Sequence, residues 1–117
     1  MTSNTAMYRT RRDPLFGRTR TEFETALSTA LEGRVISAWF FGSYGMPSFS
    51  DHSDIDVILV TETDLPFPLR NREFEDILDI VPSMDILVYT PDEFERLTHQ
   101  PTAGFWRSVT AGMRRFI

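Results

Sequence analysis

The 117 residues contain no cysteine and no lysine, and all twelve basic residues are arginine. The first absence excludes disulfides, thiol nucleophiles and Cys-ligated zinc, and the two histidines, His52 and His99, stand apart and make a poor zinc pair. The second excludes a lysine-bearing phosphate loop, so any phosphate clamp must come from arginine or from backbone N–H groups. No apolar run approaches the ~18 residues that suggest a membrane span, and the N-terminus has no apolar signal core. A cytoplasmic location with no membrane partner is therefore expected. A net charge of −5 argues against non-specific nucleic-acid binding, which rewards a basic surface. The charge is uneven: Arg9, Arg11, Arg12, Arg18 and Arg20 crowd the start, while most acids fall between Asp51 and Glu95. With 41% hydrophobic and 25% charged residues the chain has the composition of one ordinary globular domain, and its length leaves no room for a second core.

Residues 1–18 lack sustained periodicity and are interrupted by Asp13-Pro14 and Gly17, so they read as a mobile, arginine-rich arm ahead of a domain over 19–117. From Thr21 the pattern becomes helical: Phe23, Ala26, Leu27, Ala30 and Leu31 share a face, Thr21 and Glu24 form a capping pair, and Gly33 marks the stop. Val35–Phe41 has the β-branched and aromatic content of a strand. Leu69, Phe74, Ile77, Leu78 and Val81 predict a second helix ending near Pro82, and Thr90-Pro91-Asp92-Glu93 a third beginning at Thr90. A last helix carries Phe105, Trp106 and Val109, and its aromatics, with Trp39, Phe40 and Phe41, read mainly as core. Helices alternating with short apolar strands imply an α/β (α+β) fold, a small mixed sheet flanked by helices. The proline-rich Leu65-Pro66-Phe67-Pro68 turn offers apolar residues that a partner protein could contact.

The chemistry concentrates in three places. Gly42-Ser43 closes the first strand with a residue that lets backbone N–H groups approach a ligand, followed by a hydroxyl. After a ten-residue spacer comes Asp54-Ile55-Asp56-Val57-Ile58-Leu59-Val60, in which strand alternation puts Asp54, Asp56 and Ile58 on one face. A third acid, Asp85, opens the strand Met84–Tyr89. Three carboxylates of this kind suit a hard divalent cation such as Mg²⁺, which is held by a few carboxylates together with substrate phosphates. Asp76 and Asp79 compete for the third place, but beside Glu73 and Glu75 they read as a solvated acidic face. His52 and Tyr44 lie next to the motif; Tyr44 suits either a base-stacking or phosphate contact or a place in the core.

Gly42, Ser43, Asp54, Asp56 and Asp85, with Ser53 leading into Asp-Ile-Asp, resemble the signature of the minimal nucleotidyltransferases of the DNA polymerase beta superfamily, over roughly residues 20–117. The resemblance implies a polymerase beta palm-like fold and transfer of a nucleoside monophosphate from an NTP, most simply ATP, to an acceptor hydroxyl with release of pyrophosphate. It implies that Asp54, Asp56 and Asp85 are catalytic and bind two Mg²⁺ ions, and that Gly42, Ser43, Tyr44 and Ser53 contact the nucleotide. Small members of this family often act as antitoxins that bind a HEPN-type toxin and transfer AMP to it, which makes a protein the expected acceptor and partner. The family commonly carries Ala-Arg-Gly after the Gly-Ser pair, where this chain has Gly45-Met46-Pro47. Arg34, Arg70, an arginine of the arm or a partner chain would have to replace that cation. The alternative is a non-catalytic nucleotide-, metal- or partner-binding module with a degenerate phosphate loop.

Overall fold

The computed structural model describes residues 13–99 and 104–117. Four strands, β1 (Ser37–Phe41), β2 (Ile55–Val60), β3 (Met84–Tyr89) and β4 (Arg114–Arg115), form one sheet in the order β3-β2-β1-β4. β1 runs antiparallel to β2 and to β4, whereas β2 and β3 are parallel, so the sheet is mixed. The helices are α1 (Arg20–Leu31), the single turn α2 (Phe67–Arg70), α3 (Pro91–His99) and α4 (Gly104–Gly112), and a 3₁₀ segment spans Asn71–Asp79.

Strand alternation divides the core in two. Ala38 and Phe40 of β1, Ile55, Val57 and Leu59 of β2 and Met84, Ile86 and Val88 of β3 pack against Phe23, Leu27 and Leu31 of α1 and against Phe74 and Ile77. The other face carries Phe41, Ile58 and Val60 against Trp106 and Val109 of α4, with Phe94 and Leu97 of α3 at its margin. The sheet is thus enclosed by helices on both sides. β4 seals the edge of β1 and brings Phe116 into a stack on Phe40 at 4.1 Å.

Three expectations shift. The helix α1 begins earlier than its pattern suggests, because Thr-x-x-Glu occurs twice in succession and the first copy forms the capping box: Glu22 N–H donates to Thr19 Oγ1 at 3.1 Å and Thr19 N–H to Glu22 Oε1 at 2.8 Å. Glu24 of the second copy accepts instead from the Tyr44 hydroxyl at 2.7 Å. The segment before Pro82 is one α-turn followed by 3₁₀ geometry, with Phe74, Ile77 and Ile80 recurring every third residue as three residues per turn require. Most of the arm over 1–18 lies outside the described residues, and its last part, 13–18, makes contact with the domain. There Asp13 caps a turn by accepting from Leu15 and Gly17 N–H, the Pro14 carbonyl accepts from Ser83, and Arg18 donates to the Ile80 carbonyl. The capping box at Thr90 and Glu93 forms as expected.

Candidate active site

Register brings the acids together. Asp56 lies opposite Asp85 across the parallel β2–β3 pair and opposite Phe41 across the antiparallel β1–β2 pair. Directly opposed residues share a face, so Phe41, Asp56 and Asp85 form a row across three strands on the side covered by α4. Asp54 immediately precedes β2 and is exposed, as is Asp85, while Asp56 is half-buried. Burial first, then the charges of Asp85 and Asp54, hold the Asp56 carboxyl above its ordinary pKa. The neighbouring like charges thus act on one another.

Gly42 joins the turn after β1 to these acids. Its φ of +70° is left-handed, and a Cβ placed on it would overlap Asp56 Oδ2. Only glycine satisfies both the backbone and the space. Ser43 follows, half-buried, and its carbonyl accepts from Met46 N–H at 2.9 Å to close a tight turn. Between this turn and α4 lies a cavity of about 340 Å³ lined by Phe41, Gly42, Ser43, Met46, Ser48, Phe105, Ser108, Val109 and Gly112. The wall from α4 was not legible as a site. Phe105 reads in sequence as core, yet it is 53% exposed. Its spacing with Ser108, Val109 and Gly112, a single helical stripe, is the signal that connects them.

The remaining candidates divide. Tyr44 is turned into the core: it is 1% exposed, its ring packs edge-on against Phe23 and Phe49, and burial and the hydrogen bond to Glu24 push the phenol up to about 12. Its side chain therefore has the core role and not base stacking, because strand end and turn rotate it towards α1. Ser53 stabilises the turn leading to β2, its hydroxyl accepting from Ser50 N–H at 3.0 Å. His52 is exposed in that turn. Asp76 is engaged by Arg34 through two contacts of 2.8 and 2.9 Å, as an exposed acidic face allows. Among the described residues, no three His, Cys, Asp or Glu side chains stand close enough together to hold a metal ion without moving.

The expected substitutes for the missing loop cation are also placed. Arg34 is tied to Asp76, and Arg70, 7% exposed, is paired with Glu93 at 2.6 Å. Neither is near the turn in use. Arg20 and Arg114 are: Arg20 Nη2 and Arg114 Nε lie 3.1 and 3.8 Å from where a Cβ on Gly45 would stand.

No helix among the described residues is long and apolar enough to cross a membrane. No curated protein matches the chain. Among solved structures, the chain aligns with one from Sulfolobus solfataricus, provisionally assigned as a nucleotidyltransferase, with a TM-score of 0.46 and 18% identity over 68% of this chain and 83% of that one. The nucleotidyltransferase domain family matches residues 20–111, a span that holds the Gly42-Ser43 turn, both β2-associated acids and Asp85, and the chain belongs to that family.

Proposed function

We propose that the protein is a Mg²⁺-dependent nucleotidyltransferase that moves a nucleoside monophosphate, AMP in the simplest case, from an NTP to a hydroxyl on a protein acceptor. The observation that carries this is the contact of Gly42 with the Asp56 carboxylate, which sets the turn suited to phosphates directly beside the opposed acids Asp56 and Asp85. The donor set fits the metal: all three groups are hard carboxylates, and a cation would relieve the pressure that raises the Asp56 pKa. Asp54, Asp56 and Asp85 would hold it, and when bound it supplies charge neutralisation at the reacting phosphate and the leaving pyrophosphate. Ser43 and the turn N–H groups orient the β- and γ-phosphates, leaving the α-phosphate accessible to attack in line. Asp85, exposed at the edge of the row, takes the proton from the acceptor hydroxyl. The new O–P bond forms at the α-phosphorus as the bond to pyrophosphate breaks.

A protein acceptor is favoured by the openness of the site. α4 is the only wall facing the turn among the described residues that line the cavity, and Asp54 and Asp85 beside it are solvent-exposed. A separate folded surface would complete it, as a HEPN-type toxin neutralised by this protein would. Leu65 and Phe67 remain exposed and extend the apolar surface available to such a partner. The test combines titration of Mg²⁺ and ATP with pyrophosphate release on adding the candidate acceptor, using Asp56→Asn as control. Binding with Asp56-dependent pyrophosphate release supports transfer.

One observation favours a non-catalytic binding module: none of the residues lining the cavity is cationic, and Met46 occupies the wall where an arginine is common in the family. Binding of Mg·ATP without pyrophosphate release in any acceptor mixture would select that alternative.

A further inference from the structure

We infer that Arg114 is a positioning residue that holds the Ser43–Met46 turn in its working conformation, an inference that rests on the nucleotidyl-transfer reading for its effect on substrate. Arg114 lies past residue 111, where the family match ends, and nothing in the motif points to it. Its backbone is placed by the β4–β1 pairing, opposite Phe40. From there the guanidinium bridges the two walls of the cavity: Nη1 donates to the Gly112 carbonyl at 2.5 Å, at the end of α4, and Nη2 donates to the Tyr44 carbonyl, directly after Ser43. Gly112 and Ser43 both line the cavity.

The Tyr44 carbonyl belongs to the central peptide of the Ser43–Met46 turn. That turn has its closing bond from Met46 N–H to the Ser43 carbonyl and a left-handed Gly45, φ +79°, in third position, the features of a type II turn. Types I and II differ by a flip of this central peptide, which reverses its carbonyl and N–H. A donor fixed on the Tyr44 carbonyl selects one orientation, and only the planar fork of arginine reaches two carbonyls at once. The turn is thereby presented to a triphosphate in one state, without its ordering being charged to ligand binding.

Arg114→Lys retains the charge and loses the fork, and Arg114→Gln loses both. Both are expected to melt within a few degrees of the parent, to accelerate amide exchange at Met46 about tenfold, and to raise KM for Mg·ATP about tenfold with kcat changed by less than about threefold, the scale of one lost charge-assisted bond. Unchanged exchange and KM in a folded Lys variant would overturn the proposal. So would full recovery of KM by Lys but not Gln, since the guanidinium would then act as a charge on the phosphates. If exchange accelerates while the parent itself neither binds nor turns over Mg·ATP, the tether stands and the proposed function falls. Should the Arg114 variants not fold, Gly45→Ala strains the same turn with Arg114 in place. It must then raise exchange and KM alike, and normal values there would overturn the tether.

Discussion

Replacing Asp56 with asparagine separates catalytic need from structural cost, because the two should move in opposite directions. Asp56 is half-buried, faces Asp85 across β2–β3 and lies two residues from Asp54, and its carboxyl is held above its ordinary pKa by burial and by those two charges. A carboxylate whose folded pKa is raised makes folding less favourable once it is ionised. Like charges directly opposed on adjacent strands cost about 0.2–1 kcal/mol at a partly solvated position, and solvent screening at the exposed Asp85 keeps the figure in that range. Asp56→Asn should therefore raise stability at neutral pH by up to about 1 kcal/mol, or about 4 °C in Tm at the upper end for a domain of this size. The sign follows the titration. The advantage is fully present above the raised folded pKa and vanishes as pH falls below about 4, the unfolded carboxylate value, where both proteins are neutral at this position. Mg²⁺ should stabilise the parent and leave the variant unchanged, since a ligand stabilises only a state that binds it. The assays are thermal melts of both proteins from pH 3 to 8, with and without Mg²⁺, and incorporation of labelled AMP into the acceptor. Transfer should fall to background. A variant that transfers AMP normally would refute the acid row as the metal site, and one that melts lower at pH 7 would refute the repulsion argument.

Ser43→Ala should weaken Mg·ATP binding by about 0.5–1.5 kcal/mol, the scale of one neutral hydrogen bond, with Tm nearly unchanged, since the half-buried hydroxyl borders the cavity; a large fall in Tm with unaltered affinity would make it a structural turn residue. Gly42→Ala should cost at least about 1–2 kcal/mol from its left-handed φ alone and should also abolish transfer, because its Cβ would displace the Asp56 carboxylate; denaturant unfolding and the AMP assay read both, and native activity would show that the close approach is dispensable. Glu93→Gln should cost roughly 2 kcal/mol, below the usual figure for a buried pair because Glu93 is 31% exposed although Arg70 is not. Arg70, Thr90 and the cap lower the Glu93 pKa to about 2, so its contribution is present above the unfolded value near 4.5 and is lost as pH falls towards 2. Parent and variant melts that fail to converge at acid pH would refute this assignment.

The motif was legible because its parts are local. Gly42-Ser43 ends an apolar strand, Asp54 and Asp56 alternate with buried residues, and Thr90 with Glu93 caps α3 within four residues. Short-range periodicity and capping chemistry reveal such features without any knowledge of what lies opposite. Where two local solutions competed, the sequence did not settle the choice. Thr19 and Thr21 each begin a Thr-x-x-Glu pattern; the spacing points to Thr21, whereas the structure caps at Thr19 and gives Glu24 to the Tyr44 hydroxyl. Phe105, expected in the core, is exposed, and Tyr44, left between core and ligand contact, is buried, for a similar reason. Aromatic side chains suit core and cavity alike, and the packing of α4 against Phe41, or of the turn against Phe23, decides between them.

The sequence by itself determined the composition-level exclusions, the order of the first three strands and of the helices around them, the family signature and the two-sided alternation that puts the acids of β2 on one face. Tertiary structure alone decided that β2 and β3 run parallel with Asp56 opposite Asp85, that Gly42 meets the Asp56 carboxylate, that Arg34 and Arg70 are committed to Asp76 and Glu93, and that Arg114 reaches back to Tyr44. The physical reason is sequence separation. Periods of 2 and 3.6 residues are written into neighbouring side chains, whereas a contact between residues 44 and 114 depends on how the intervening strands and helices bury their faces, a collective outcome of packing that no short window contains.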